Sequence, residues 1–290
     1  MGTGFTIDTP LLVAKYGISS VISLVDDVLV EQMRRHICER EGEPYTPITD
    51  DDSDPRANRI TAYLDLLGQL VERQIEAVRS APFETGSEIT RYFEQLPDSP
   101  LLDDYRAMLR EADPTERMRL QNVLRSRVVP GSIDVNVMTK LDCLRPVRGK
   151  MPDGLHSDAK AALRGFARSI LRSSIVCSAG MSRDLYKYFG SFGDFFPDSH
   201  GVRKKGIVIK VSDYRSAELQ GLFLAKRGLW VSEFRIESGL NCGGHAFATK
   251  GRLLGPILQE FKDKREELRV MLHAEYLRSL ESLGLDGSEL

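Results

Sequence analysis

Apolar and polar positions along the 290-residue chain follow two rhythms. Five short runs, "VISLV" (21–25), "SIDVNVMT" (132–139), "SIVCSA" (174–179), "GIVIKVS" (206–212) and "LWVSEFRIES" (229–238), are rich in apolar and β-branched residues and read as strands. Elsewhere apolar residues recur at three-and-four spacing. Ile60, Tyr63, Leu64, Leu67, Leu70 and Val71 form one helical stripe, and "LLDDYRAMLREA" and "PTERMRLQNVLRSR" behave alike. Further helices are expected over 28–40, over 157–173 with Ser157 as cap, around 183–190, and over 216–228 and 255–284. Near the start, Asp8 or Thr9 suits a cap, Pro10 the first turn, and Gly17 a left-handed stop.

Strand alternating with helix predicts parallel pairing with right-handed crossovers. Two architectures are open, a doubly wound sheet and a (β/α)8 barrel, and both place chemistry at the C-terminal ends of the strands. Residues 1–42 hold the first βα units and 131–254 the later ones, and 255–290 form a C-terminal helix. Residues 43–130, opening with the acidic "EPYTPITDDDSDP", contain no strand pattern and read as a helical insertion. Setting those 88 residues aside leaves about 200, enough for about six βα units where a closed barrel uses about 250. The expected fold class is α/β, a TIM-barrel-like (β/α) body, incomplete, with a helical insertion.

Composition narrows the function classes. A net charge of −2 gives no basic face for nucleic acid, and no apolar run approaches a membrane span. "MGTGFTIDTP" lacks the layout of a secretory signal, and Cys38, Cys143, Cys177 and Cys242 form no CxxC pair, so a reduced, cytoplasmic protein is expected. No GxGxxG, GxxxxGK[ST] or GxSxG follows a strand. Cys242 and His245 make a Cys-x-x-His with no second pair, which is weak evidence for zinc.

Candidate chemistry gathers at the strand ends. Asn136 sits in an apolar strand, where its amide either bonds neighbouring groups or reads a ligand edge. Lys210, on the run "VIKVS", needs a polar cavity or a counter-charge. Gly243 and Gly244 suit close approach of backbone to a planar ligand, and His245 beside them is either a general base or part of a turn.

The order "TPLLVAKYGISSVIS", "DVNVMTK", "VCSAGMS", "VIKVSDYRSAELQGLFLAKRGLWVSEF" and "GLNCGGHAF" resembles the nitronate monooxygenase (2-nitropropane dioxygenase-like) family of FMN-dependent TIM barrels, over roughly residues 1–40 and 131–250. The resemblance implies an FMN cofactor, with Asn136 at the flavin ring edge, Lys210 on the pyrimidine side, and Gly180, Gly243 and Gly244 lining the ring. It implies that His245 is the base that removes a proton α to the nitro group of a small-molecule substrate. The family's two last strands, which hold the FMN phosphate, have no counterpart after residue 255, and Glu233, Arg235 and Glu237 stand where its strand is more apolar. An unclosed barrel exposes strand edges and favours a homo-oligomer. The alternatives are another flavin-barrel enzyme, nearer the glutamate-synthase or inosine-monophosphate-dehydrogenase types, and a non-catalytic assembly protein.

Overall fold

The computed structural model describes residues 7–24, 26–137, 142, 144, 157–178, 180–237 and 254–285. All five expected strands form: β1 (Ser20–Leu24), β2 (Ile133–Val137), β3 (Ser174–Cys177), β4 (Gly206–Val211) and β5 (Val231–Ile236). They make one sheet in the order β1-β2-β3-β4-β5, with β2 through β5 parallel. Five strands are thus described where chain length suggested about six βα units. The fold is mixed α/β. Strand order that follows chain order has no reversal point, so right-handed crossovers carry successive helices to the same face.

That face is apolar. Ile175, Cys177, Ile207, Ile209, Val211 and Val231 lie on it and are at most 7% exposed. The elements covering it are specified locally. Asp26 caps α2 (Asp27–Glu41) by accepting from the amides of Val28 and Leu29, and Gly42 ends that helix at φ 72°. Ser157 caps α7 (Asp158–Arg168) as expected, accepting from the Lys160 amide. Asp213 caps α9 (Tyr214–Ala225), accepting from the Ser216 amide at 2.7 Å. The long α10 (Leu254–Ser282) packs on α9, where a Cβ on Gly221 would stand 2.8 Å from a Leu272 methyl. The two helices also share a Tyr214–Phe261 edge contact at 5.6 Å.

Between β1 and β2 the chain is helical: α3 (Pro55–Ser80), α4 (Glu88–Glu94), α5 (Pro100–Arg110) and α6 (Pro114–Ser126). The chain divides into two compact units, Met1–Ile22 with Leu64–Asp134, and Ser23–Tyr63 with Val135–Leu290. The first has its own aromatic core. Phe93, fully buried, stacks on Tyr105 at 5.1 Å and meets Tyr92 edge-on at 5.2 Å, with Ile75, Ile89 and Met108 around them. α1 (Thr9–Val13) belongs here, with Pro10 in its first turn and a 3-10 turn running on to Gly17 at φ 74°. Asp8 takes the N-cap position without a side-chain capping bond. In this unit Glu88 accepts from Lys15 at 2.7 Å and from Tyr16 at 2.9 Å. Among the described residues no helix is long and apolar enough to cross a membrane.

Candidate functional site

The candidate site lies on the other face of the sheet, within the second unit. Side chains alternate along a strand, and residues aligned across parallel strands share a face. Asn136 aligns with Val176, Val176 with Val208, and Val208 with Glu233. Two residues further along, Lys210 aligns with Arg235. Asn136, Val176, Val208, Lys210, Glu233 and Arg235 therefore point away from the apolar face, and Ser23 joins them through its contact with Asn136.

Within this row Val176 is fully buried and Val208 is 1% exposed, forming an apolar floor. Asn136, 8% exposed, flanks it. Its Nδ2 donates to Ser23 Oγ at 3.4 Å, while its Oδ1 is buried with no hydrogen-bond partner among the described residues. A carboxamide oxygen left so is costly, of order 1–3 kcal/mol, and is the kind of group a ligand N–H completes. The sequence left two readings of Asn136 open. Among the described residues the structure gives its nitrogen a neighbour and its oxygen none.

Lys210 is different. Its Nζ lies 2.9 Å from Glu237 Oε1, and both side chains are mostly buried. Arg235 Nε is 2.6 Å from Glu233 Oε1 on the same face. Each pair is neutral within itself, so Lys210 has the counter-charge that a lysine on a buried strand needs. Asn136 and Lys210 share the face but do not touch. Two strand spacings and two residues separate them, about 10 Å across and about 7 Å along the strands.

Gly180 follows β3 in chain order and is exposed, at φ 121°, a conformation that side-chain-bearing residues rarely adopt. The row on the floor is closed to solvent. Towards the C-terminal ends of the strands Gly180 is exposed and Lys210 and Arg235 are half-buried. Gly243, Gly244 and His245 lie outside the described residues, as does Cys242.

The two described thiols are not on this face. Cys38 and Cys177 are free and buried, and burial pushes the Cys177 thiol up to about 12, which keeps it protonated and inert at neutral pH. Beside it, burial and the neighbouring Cys177 raise the Tyr186 hydroxyl, which donates to Gln220 Oε1 at 2.6 Å. No group of three or more metal-ligating side chains occurs among the described residues.

Ser23 was not singled out in the sequence because "VISLV" reads as a uniform apolar run; the signal was its single hydroxyl at the alternate position. Glu233, Arg235 and Glu237 stood out as charges on a strand, but nothing in the sequence pairs Glu237 with Lys210. No family model, curated protein or solved structure matches this chain.

Proposed function

We propose that this chain is an FMN-dependent oxidoreductase of nitronate-monooxygenase type, built on barrel-like (β/α) units. The observation that supports this reading best is the buried Oδ1 of Asn136, which has no hydrogen-bond partner among the described residues, beside Val176 and Val208. Sequential strand order supports it too, since a barrel wall is built in that order and carries its chemistry at the C-terminal strand ends.

The residues present fit the ring part of the cofactor. Asn136 Oδ1 would accept from a ring N–H of FMN, and Gly180 would admit close approach of backbone. FMN, when bound, supplies a two-electron acceptor. Lys210, held by Glu237, gives the rim a fixed dipole rather than a free cation. By the resemblance, His245 takes the proton α to the nitro group of a small-molecule substrate, with Gly243 and Gly244 bringing backbone to the ring. Buried free thiols fit a reducing, cytoplasmic setting.

The test is the visible absorption spectrum of the purified chain, before and after incubation with FMN and desalting. A retained flavin band is expected. Asn136→Leu, similar in size but without the acceptor, should weaken FMN roughly tenfold, the equivalent of about 1.4 kcal/mol for one lost hydrogen bond. His245→Ala should then depress turnover with nitronates while leaving the band. A chain that stays colourless and retains no FMN overturns the proposal and leaves the assembly reading, which the open edge of the sheet favours.

A further inference from the structure

Strand β5 ends the sheet, and among the described residues no strand lies beyond it. In a parallel pair only alternate residues turn their N–H and C=O to a given neighbour. The Glu237 amide donates to the Val211 carbonyl at 2.9 Å, so Glu233, Arg235 and Glu237 address β4 while Phe234 and Ile236 turn theirs outward. The one irregularity, a bulge that inserts Ser232, lies before this stretch and leaves 233–236 in regular register.

Beside that edge is a cleft of about 530 Å3 between β5 and α10, with Trp230, Phe234, Ile236, Leu258, Phe261 and Leu268 among its walls. Its α10 rim carries Lys262, Arg265 and Arg269, all exposed, the last paired with Glu266 on its own helix. The one acid in its lining, Glu233, is already paired with Arg235. An apolar slot, a strand edge with no described strand opposite it and a cationic rim thus occupy one place.

We propose that this edge and cleft dock an extended polypeptide segment of a partner protein, apolar at alternate positions and acidic at its ends, added to the sheet as the strand next to β5. Alternate side chains enter the cleft, the backbone pairs with Phe234 and Ile236, and the acidic residues meet Lys262, Arg265 and Arg269. A small apolar ligand fills the cleft but leaves the strand groups unpaired. A second copy brings the same three cations against themselves. The inference rests on β5 and α10 alone and is independent of the flavin reading.

Trp230 is the only tryptophan in the chain and lines the cleft, so its fluorescence reports occupancy. The probe is an end-blocked peptide, Glu-Val-Thr-Val-Thr-Val-Glu, titrated into the full chain. Two companions are the same peptide with lysine for glutamate, and one N-methylated at alternate amides. The acidic peptide should give a saturable change, the lysine peptide should bind at least tenfold more weakly, and the N-methylated peptide should not bind. Arg265→Glu with Arg269→Glu, both on the exposed side of α10, should invert the preference between the acidic and basic peptides. If that variant fails to fold, the three peptides on the unaltered chain still decide. Equal binding of acidic and basic peptides overturns the proposal, as does binding of the N-methylated one. Self-association in sedimentation that the acidic peptide does not compete away would do so as well, by assigning the edge to a second copy.

Discussion

Asp54 holds a backbone φ of 50°, where side-chain-bearing residues are uncommon, immediately before α3. Its carboxylate accepts from Arg164 Nε at 2.7 Å and Nη2 at 2.6 Å, and from Arg168 Nη1 at 2.9 Å. Burial alone raises an aspartate, but the hydrogen bonds and charges of Arg164 and Arg168 outweigh it and hold Asp54 below its ordinary 3.8. A folded value below the unfolded one means stability that is present above about pH 4 and lost as pH falls through the folded value. Asp54→Asn keeps a residue tolerant of this conformation and removes only the charge. Because Arg164 is 6% exposed, removing the Asp54 charge beside it should cost about 1–3 kcal/mol in urea unfolding at pH 7, and the deficit should shrink as the unaltered protein is acidified. Equal stability at pH 7 would mean that the pair contributes nothing net. The sequence could not show this contact. Asp54 reads as one acid of an acidic loop, and its partner is 110 residues away with no periodicity linking them.

At the scale of elements, α7 crosses α3 at a glycine. A Cβ on Gly165 would stand 2.5 Å from Ile60 Cγ2 and 2.9 Å from the Ala57 carbonyl oxygen. Thr61 Oγ1 reaches the Gly165 carbonyl at 3.0 Å across the same crossing. Helix propensity favours Gly165→Ala by about 1 kcal/mol, whereas overpacking costs about 1–3 kcal/mol. With a backbone carbonyl in the way the steric term wins, so the variant should melt at a lower temperature than the parent. A higher melting temperature would show that the helices separate freely. Gly165 reads in the sequence only as a weak point in a helix. By contrast, the helix itself and all five strands were legible, since burial on one side imposes periods of 3.6 and 2 on the chain. The short α4 was not singled out, because two turns hold too few positions to show a period. The site was legible only in part. Asn136 and Lys210 stand out as polar residues on strands, but their common face, and the pairing of Lys210 with Glu237, depend on register between strands that no single strand encodes.

For the whole molecule, the sheet's one-directional order sets two conditions at once. It gives every crossover the same side, so that the opposite face carries Asn136 and Lys210 beside buried Val176 and Val208, and it leaves β5 as an edge with no described strand beyond it. Proteins blunt such edges with lysine, proline or bulges, and here the bulge at Ser232 lies before the four regular residues 233–236. Net charge is the remaining safeguard and it is small, −2 at pH 7 with a sequence pI near 6.3. Self-repulsion therefore nearly vanishes just below neutral pH, and light scattering at fixed protein concentration should grow fastest near pH 6.3 and several-fold more slowly at pH 8. Edge pairing and net charge separate in Ser232→Lys, at an exposed position on β5. The added lysine moves the chain from −2 to −1 at pH 7, which on charge alone speeds association. A lysine on the strand edge would slow it only if copies paired there, which the cations along α10 oppose, so faster scattering is expected. Slower scattering of the variant at pH 7 assigns self-association to the β5 edge. Faster scattering assigns it to net charge and moves the contact elsewhere on the surface.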